Sequence, residues 1–333
     1  MNKFAVMGDG AWGTAVAILL AARAEHRVVL WSARADNGRL LQERRENVYL
    51  LPGVPIPDAV ELTMDAARAT ADADLIVTAI PTVYLRPVLE GLAATLPPEC
   101  AVLSLTKGLE SDSFLRPTEI IARVTGPRTL AVLSGPSHAE EVVRGLPTTL
   151  VVGCEDYALA RRIQDAFRSD RLRVYTSSDV PGVELGGALK NIIGIAAGIC
   201  DGLGFGDNAK AALLTRGLVE MARFGVALGA DHQTFFGLAG LGDLITTCIS
   251  PHGRNRHVGE RLGRGETLTD ILATMKKVAE GVNTTRSVHQ RAARMGIDMP
   301  ITDEVFRVLY EGKDPATAVR DLMLREPRSE MPK

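Results

Sequence analysis

Apolar positions fall into two textures along the chain. Up to about residue 175 they come in short runs at 3–7, 27–31, 75–80, 101–105, 130–133, 149–152 and 172–175, with the length and β-branching of buried strands. Helix-like stretches lie between most of them, including 11–24, 83–95 and 159–167. That alternation predicts a mostly parallel, doubly wound α/β sheet whose ligands gather beyond the carboxyl ends of the strands. The segment 177–182, Ser-Ser-Asp-Val-Pro-Gly, reads as a linker. Strand patterns then vanish, and long helical ones take over at 183–199, 208–228, 268–278, 285–295 and 302–310. Two domains follow, an α/β domain over 1–180 and an all-α domain over 181–333.

Composition agrees with this division. A chain of 333 residues has room for about two domains of typical size and needs no disulfide or metal staple. With 46% hydrophobic and 23% charged residues and a formal charge of −2, it is neither disordered nor a basic platform for nucleic acid or anionic membrane. Cys100, Cys154, Cys200 and Cys248 are widely spaced with no C-x-x-C pair, which fits reduced thiols in a cytoplasmic protein. No apolar run has membrane-spanning length. The stretch 11–22 imitates a signal-peptide core, but the glycine pattern ahead of it explains it better, so no targeting segment is assigned.

That pattern is Gly8-Asp9-Gly10-Ala11-Trp12-Gly13, a G-x-G-x-x-G between a strand and a helix. The first glycine permits the tight turn, the second lets the backbone approach a pyrophosphate, and the third lets helix pack on strand. The expected fold is therefore a Rossmann-type domain that binds a dinucleotide. The second strand ends Trp31-Ser32-Ala33-Arg34, with no acid until Asp36. An acid there would clasp a ribose 2′-hydroxyl, whereas Arg34 suits a 2′-phosphate. NADPH is thus the preferred cofactor and NAD remains open, the alternative for Arg34 being a solvated loop residue.

Four further clusters carry candidate chemistry. Ser134–Glu141 follows a strand, and Ser137 with Glu140 has the spacing of a helix capping box, a helix start that would also face an anion. Glu184–Ile193 sets Lys190, beside Asn191, inside an apolar helix, where a lysine either snorkels or has a task. Asp243 and the segment 250–257 form another polar cluster, in which Arg254 and Arg256 beside Gly253 and Asn255 suit a phosphate, or belong to a solvated loop. Asp243, Cys248, His252 and His257 match no zinc spacing, so no metal is expected. Val278, Ala279 and Glu280 mark a helix boundary, explicable by capping alone.

In this order the segments resemble the bacterial-type NAD(P)-dependent glycerol-3-phosphate dehydrogenases, from Gly8 to about Leu324. The resemblance rests on 8–13, Thr106-Lys107-Gly108, 134–141, 184–191, 201–210, 240–243, Arg254-Asn255 and 278–281. It implies reversible reduction of dihydroxyacetone phosphate to sn-glycerol 3-phosphate, with a role in glycerophospholipid synthesis and a homodimer. It also implies cofactor contacts at Trp12, Arg34, Lys107, Ala139, Arg254, Val278 and Glu280. Substrate contacts fall on Lys107, Gly135, Ser137, Lys190, Asp243, Gly253, Arg254 and Asn255, with Lys190 as proton acceptor. Three positions depart from the family pattern: Ala11 and Gly253 stand where serine is usual, and Ala33 where some relatives have histidine. Two rival readings stay open, a two-domain hydroxyacid dehydrogenase and a dinucleotide sensor without turnover.

Overall fold

The computed structural model describes residues 2–275, 277–327 and 329–330. The end of the expected second domain at 331–333, with positions 276 and 328, lies outside them. Among the described residues ten strands run β1 Lys3–Met7, β2 Arg27–Trp31, β3 Glu46–Asn47, β4 Leu51–Pro55, β5 Val60–Thr63, β6 Leu75–Thr78, β7 Ala101–Ser104, β8 Leu130–Ser134, β9 Thr148–Cys154 and β10 Leu172–Ser177. Eight of them form one sheet in the order β10-β9-β8-β7-β6-β1-β2-β5, and β3 pairs with β4 separately. β5 through β8 are all parallel, but β9 lies antiparallel to β8 and carries β10 parallel to itself. The sheet is thus Rossmann-like with two reversed strands at one edge. The carboxyl ends of β1, β6, β7 and β8 open on one side, where Gly8, Pro81, Lys107 and Gly135 follow.

The expected linker is shorter than its sequence suggests. β10 ends at Ser177 and the helix Val180–Gly202 begins three residues later, its N-terminus capped by the Asp179 side chain on Gly182 N–H. Pro181 sits in the first turn, where its missing N–H costs nothing. This helix is buried along nearly its whole length and forms the axis of the second domain. Among the described residues it is the only helix long and apolar enough to cross a membrane, and it is enclosed by protein. Gly194, Gly198 and Gly202 repeat every fourth residue on it. A β-carbon at Gly198 would lie 1.9 Å from the Arg256 carbonyl, and one at Gly259 1.9 Å from that of Ile195. The helix Arg254–Gly263 therefore packs backbone to backbone on the axis. Its N-terminal Arg254 and Asn255, read from sequence as a possible loop, begin a helix instead.

Candidate active site

Each glycine of the first turn is needed for a different reason. Gly8 has φ +119°, and a β-carbon there would meet the Ala79 carbonyl at 2.8 Å. At Gly13 one would meet the Gly8 carbonyl at 2.0 Å, so this glycine lets the helix Ala11–Ala21 sit on the turn. At Gly10 it would meet nothing within 4 Å. That open space faces the helix N-terminus, where unpaired N–H groups suit phosphate oxygens. Ala11 starts the helix without a side-chain hydroxyl, and the Trp12 indole N–H is buried with no partner among the described residues. A glycine cradle, a free helix start and an orphaned donor together fit a dinucleotide. Ala139 packs close by with Ala15 and Leu51. Arg34 is exposed and donates to Asp36 at 2.9 Å.

The polar centre lies where the sheet's carboxyl edge meets the axial helix. Lys107 Nζ donates to Gly135 O at 2.9 Å, to Ser137 Oγ at 3.4 Å and to Asp243 Oδ2 at 2.8 Å. Lys190 Nζ donates to Asp243 Oδ1 at 2.7 Å and to Thr247 Oγ1 at 2.6 Å. One buried carboxylate thus bridges two ammonium groups, one from each domain. Asp243 follows a short π-helical turn, Leu238–Gly242, pressed against the axis where Gly186 offers no side chain. Burial pushes the Lys190 amine down and Asp243 pulls it back up, while Lys107 adds to the fall; the result is about 8. Burial would raise the Asp243 carboxyl, but Lys107 and Lys190 outweigh it and hold the group below its usual range.

Around this centre the expected residues divide. Asn255 Nδ2 donates to Asn191 Oδ1 at 2.8 Å, and Asn191 Nδ2 reaches the Lys107 carbonyl, so both asparagines join the cluster. Glu280 is buried and accepts the Thr82 N–H at 2.8 Å across the domain boundary. Its place is an interdomain clasp rather than a cap, since the helix Glu280–Met295 has no side-chain cap. Arg254 does not touch the lysines; its exposed guanidinium donates to Val278 O at 2.8 Å. Gly253 uses both backbone groups locally, its N–H to Ser250 O and its carbonyl to the His257 N–H. A β-carbon there would lie 2.9 Å from the Thr247 carbonyl, so glycine lets this turn close.

The capping box expected at Ser137 does not form. The helix Ala139–Val142 is a single turn with His138 as its uncapped N-cap, and Ser137 Oγ instead donates to Gly135 O at 2.9 Å. A helix this short presents no anion site of its own. Two residues were missed. Thr247 is one helical turn past Asp243, a spacing that marks a shared face. His138 belongs to the motif already singled out, and its Nε2 is buried without a partner among the described residues. Burial first, then the nearby Lys190 charge, pushes that imidazole below its ordinary range. No group of three His, Cys, Asp or Glu among the described residues could hold a metal.

Family models described as NAD-dependent glycerol-3-phosphate dehydrogenase N-terminus and C-terminus match residues 3–160 and 179–320. A glycerol-3-phosphate dehydrogenase [NAD(P)+] of Chlorobium phaeobacteroides is 46% identical over 99% of both chains. One from Geobacillus kaustophilus is 48% identical over 99% of this chain and 97% of its own. The crystal structure of glycerol-3-phosphate dehydrogenase from Coxiella burnetii superposes with a TM-score of 0.93 at 37% identity, covering 97% of this chain and 99% of that one.

Proposed function

The chain belongs to the NAD(P)-dependent glycerol-3-phosphate dehydrogenase family, and on that premise we propose how its own residues interconvert dihydroxyacetone phosphate and sn-glycerol 3-phosphate. It is an oxidoreductase that uses NAD(P). When bound, the nicotinamide supplies the hydride chemistry. Lys190 holds the proton. In its ammonium form it donates to the oxygen on C2 as the carbonyl is reduced, and in its amine form it takes that proton back from the alcohol. An amine poised at about 8 can do both near neutral pH. Lys107 adds a second positive charge beside the same oxygen.

The observation that carries this reading is the carboxylate of Asp243, with one oxygen on each lysine. It holds both ammonium groups together at the domain boundary while cancelling only one of the two charges. The surplus suits a phosphorylated substrate, whose phosphate falls to Arg254, Asn255 and Ser137. Gly8, Gly10, Ala11, Trp12, Gly13, Arg34, Ala139, Val278 and Glu280 line the cofactor side, and Gly135 and Gly253 shape the substrate side. The same premise supports a cytoplasmic homodimer that supplies glycerophospholipid synthesis. Arg254 added to the surplus lysine charge suits a phosphate dianion better than the single carboxylate of a hydroxyacid, and a sensor would have no use for Lys190.

The test follows NADPH absorbance with dihydroxyacetone phosphate in wild type and Lys190→Ala. Turnover in the variant should fall by roughly 10²–10⁴, the usual worth of a positioned acid–base group. Turnover retained in a folded variant rejects the assignment.

A further inference from the structure

The end of β2 lacks the acid that reads a ribose 2′-hydroxyl in many dinucleotide domains. The structure delivers a carboxylate there from another place. Asp9 lies between the first two glycines of the turn, and its Oδ2 accepts Ser32 Oγ at 2.5 Å and the Asn37 side-chain amide. Asn47 Nδ2 holds the Asp9 carbonyl at 2.8 Å, fixing the turn from below. These bonds fall on Oδ2, which leaves Oδ1 to meet a ligand. Arg34 stands two residues beyond Ser32, within reach of the Asp9 charge, and among the described residues its guanidinium is held by an exposed ion pair to Asp36 alone.

We propose that Asp9, opposed by Arg34, sets how strongly this chain distinguishes a 2′-hydroxyl from a 2′-phosphate on the adenosine ribose. The inference rests on reading the glycine turn as the cofactor site and adds a residue to it. A 2′-hydroxyl donates to Oδ1. A 2′-phosphate carries nearly two negative charges, is repelled by Asp9 and is drawn to Arg34. Opposed charges of this kind let one pocket accept both cofactors.

The experiment measures calorimetric binding of ADP-ribose and 2′-phospho-ADP-ribose to the full chain without substrate, so turnover plays no part. Asp9→Asn keeps an acceptor for Ser32 and Asn37 and removes only the charge. It should shift the ratio of dissociation constants about tenfold toward the 2′-phosphorylated ligand, the low end for a charge pair near a protein surface. Arg34→Ala should shift the ratio the other way. If Asp9→Asn fails to fold, Asp9→Ser carries the same expectation. A ratio unchanged within about twofold, with both ligands still bound, makes Asp9 a turn staple and overturns the proposal. If neither ligand binds wild type, the cofactor reading of the turn fails, and this inference with it.

Discussion

Two buried carboxylates of the helical domain meet opposite fates. Asp243 is 2% exposed and Glu220 3% exposed, so both have lost nearly all their water. Glu220 accepts the N–H groups of Ile301 at 2.6 Å and Thr302 at 3.2 Å, at the start of the helix Pro300–Tyr310. Burial dominates despite these bonds and pushes it up to about 7. Glu184 is intermediate. It has one cation, Arg116 at 2.6 Å, and burial still raises it. Asp243 has two cations and is lowered. Neutral donors satisfy a carboxylate's lone pairs but do not replace the hydration of its charge; two ammonium groups do. A carboxylate that must stay ionised when buried therefore needs the pair of lysines that the proposed mechanism also uses.

Asp243→Asn breaks this contrast with the largest effect. It leaves the buried Lys190 ammonium and the half-buried Lys107 ammonium without their shared counter-charge, and Lys190 loses the influence that holds its pKa up. Dihydroxyacetone phosphate reduction at pH 7 should drop on the order of 10²-fold, and the alkaline limb of its pH profile should move to lower pH. Steady-state rates across pH check both; a limb moving upward would show that Asp243 does not stabilise the Lys190 ammonium.

Glu220→Gln sharpens the contrast with a smaller effect. Folding raises this carboxyl from 4.5 to about 7, so the folded state binds more protons between those values. Stability is then fully present below the lower value and declines as pH rises through the upper one. Wild-type Tm should fall by roughly 2–4 °C for each kcal/mol lost between pH 5 and 8, and the glutamine variant should fall less. Turnover should be unchanged. Thermal melts at the two pH values decide it, and parallel curves would remove Glu220 as their source.

The sequence made the sheet domain legible because its strands are short, β-branched and bounded by turn residues. What escaped it lacks such signals. β5 is four residues of mixed polarity, Val-Glu-Leu-Thr, and the reversal of β9 leaves no local mark because a buried strand reads the same in either direction. In the helical domain, Arg254–Gly263 hid behind its charges: Arg-Asn-Arg-His reads as a loop, and only the glycine repeat on both helices shows that it packs. Lys190 stood out as one cation in an apolar helix. Its partner Asp243 was found only as part of a motif, 53 residues away in sequence. Thr247 had no signal beyond its spacing from Asp243. Asp9 is an unspecified position of the glycine motif, and nothing local shows that Ser32 and Asn37 converge on it.

The central claim is that Lys190 carries the proton, poised by burial, Asp243 and Lys107. The most direct test is kcat/KM against pH in both directions, for wild type beside Lys190→Ala. The account predicts a wild-type reduction rate that falls, and an oxidation rate that rises, as pH increases, with midpoints at about 8, and neither limb in the variant. Limbs that persist in a folded Lys190→Ala protein would assign the proton to another group and contradict it.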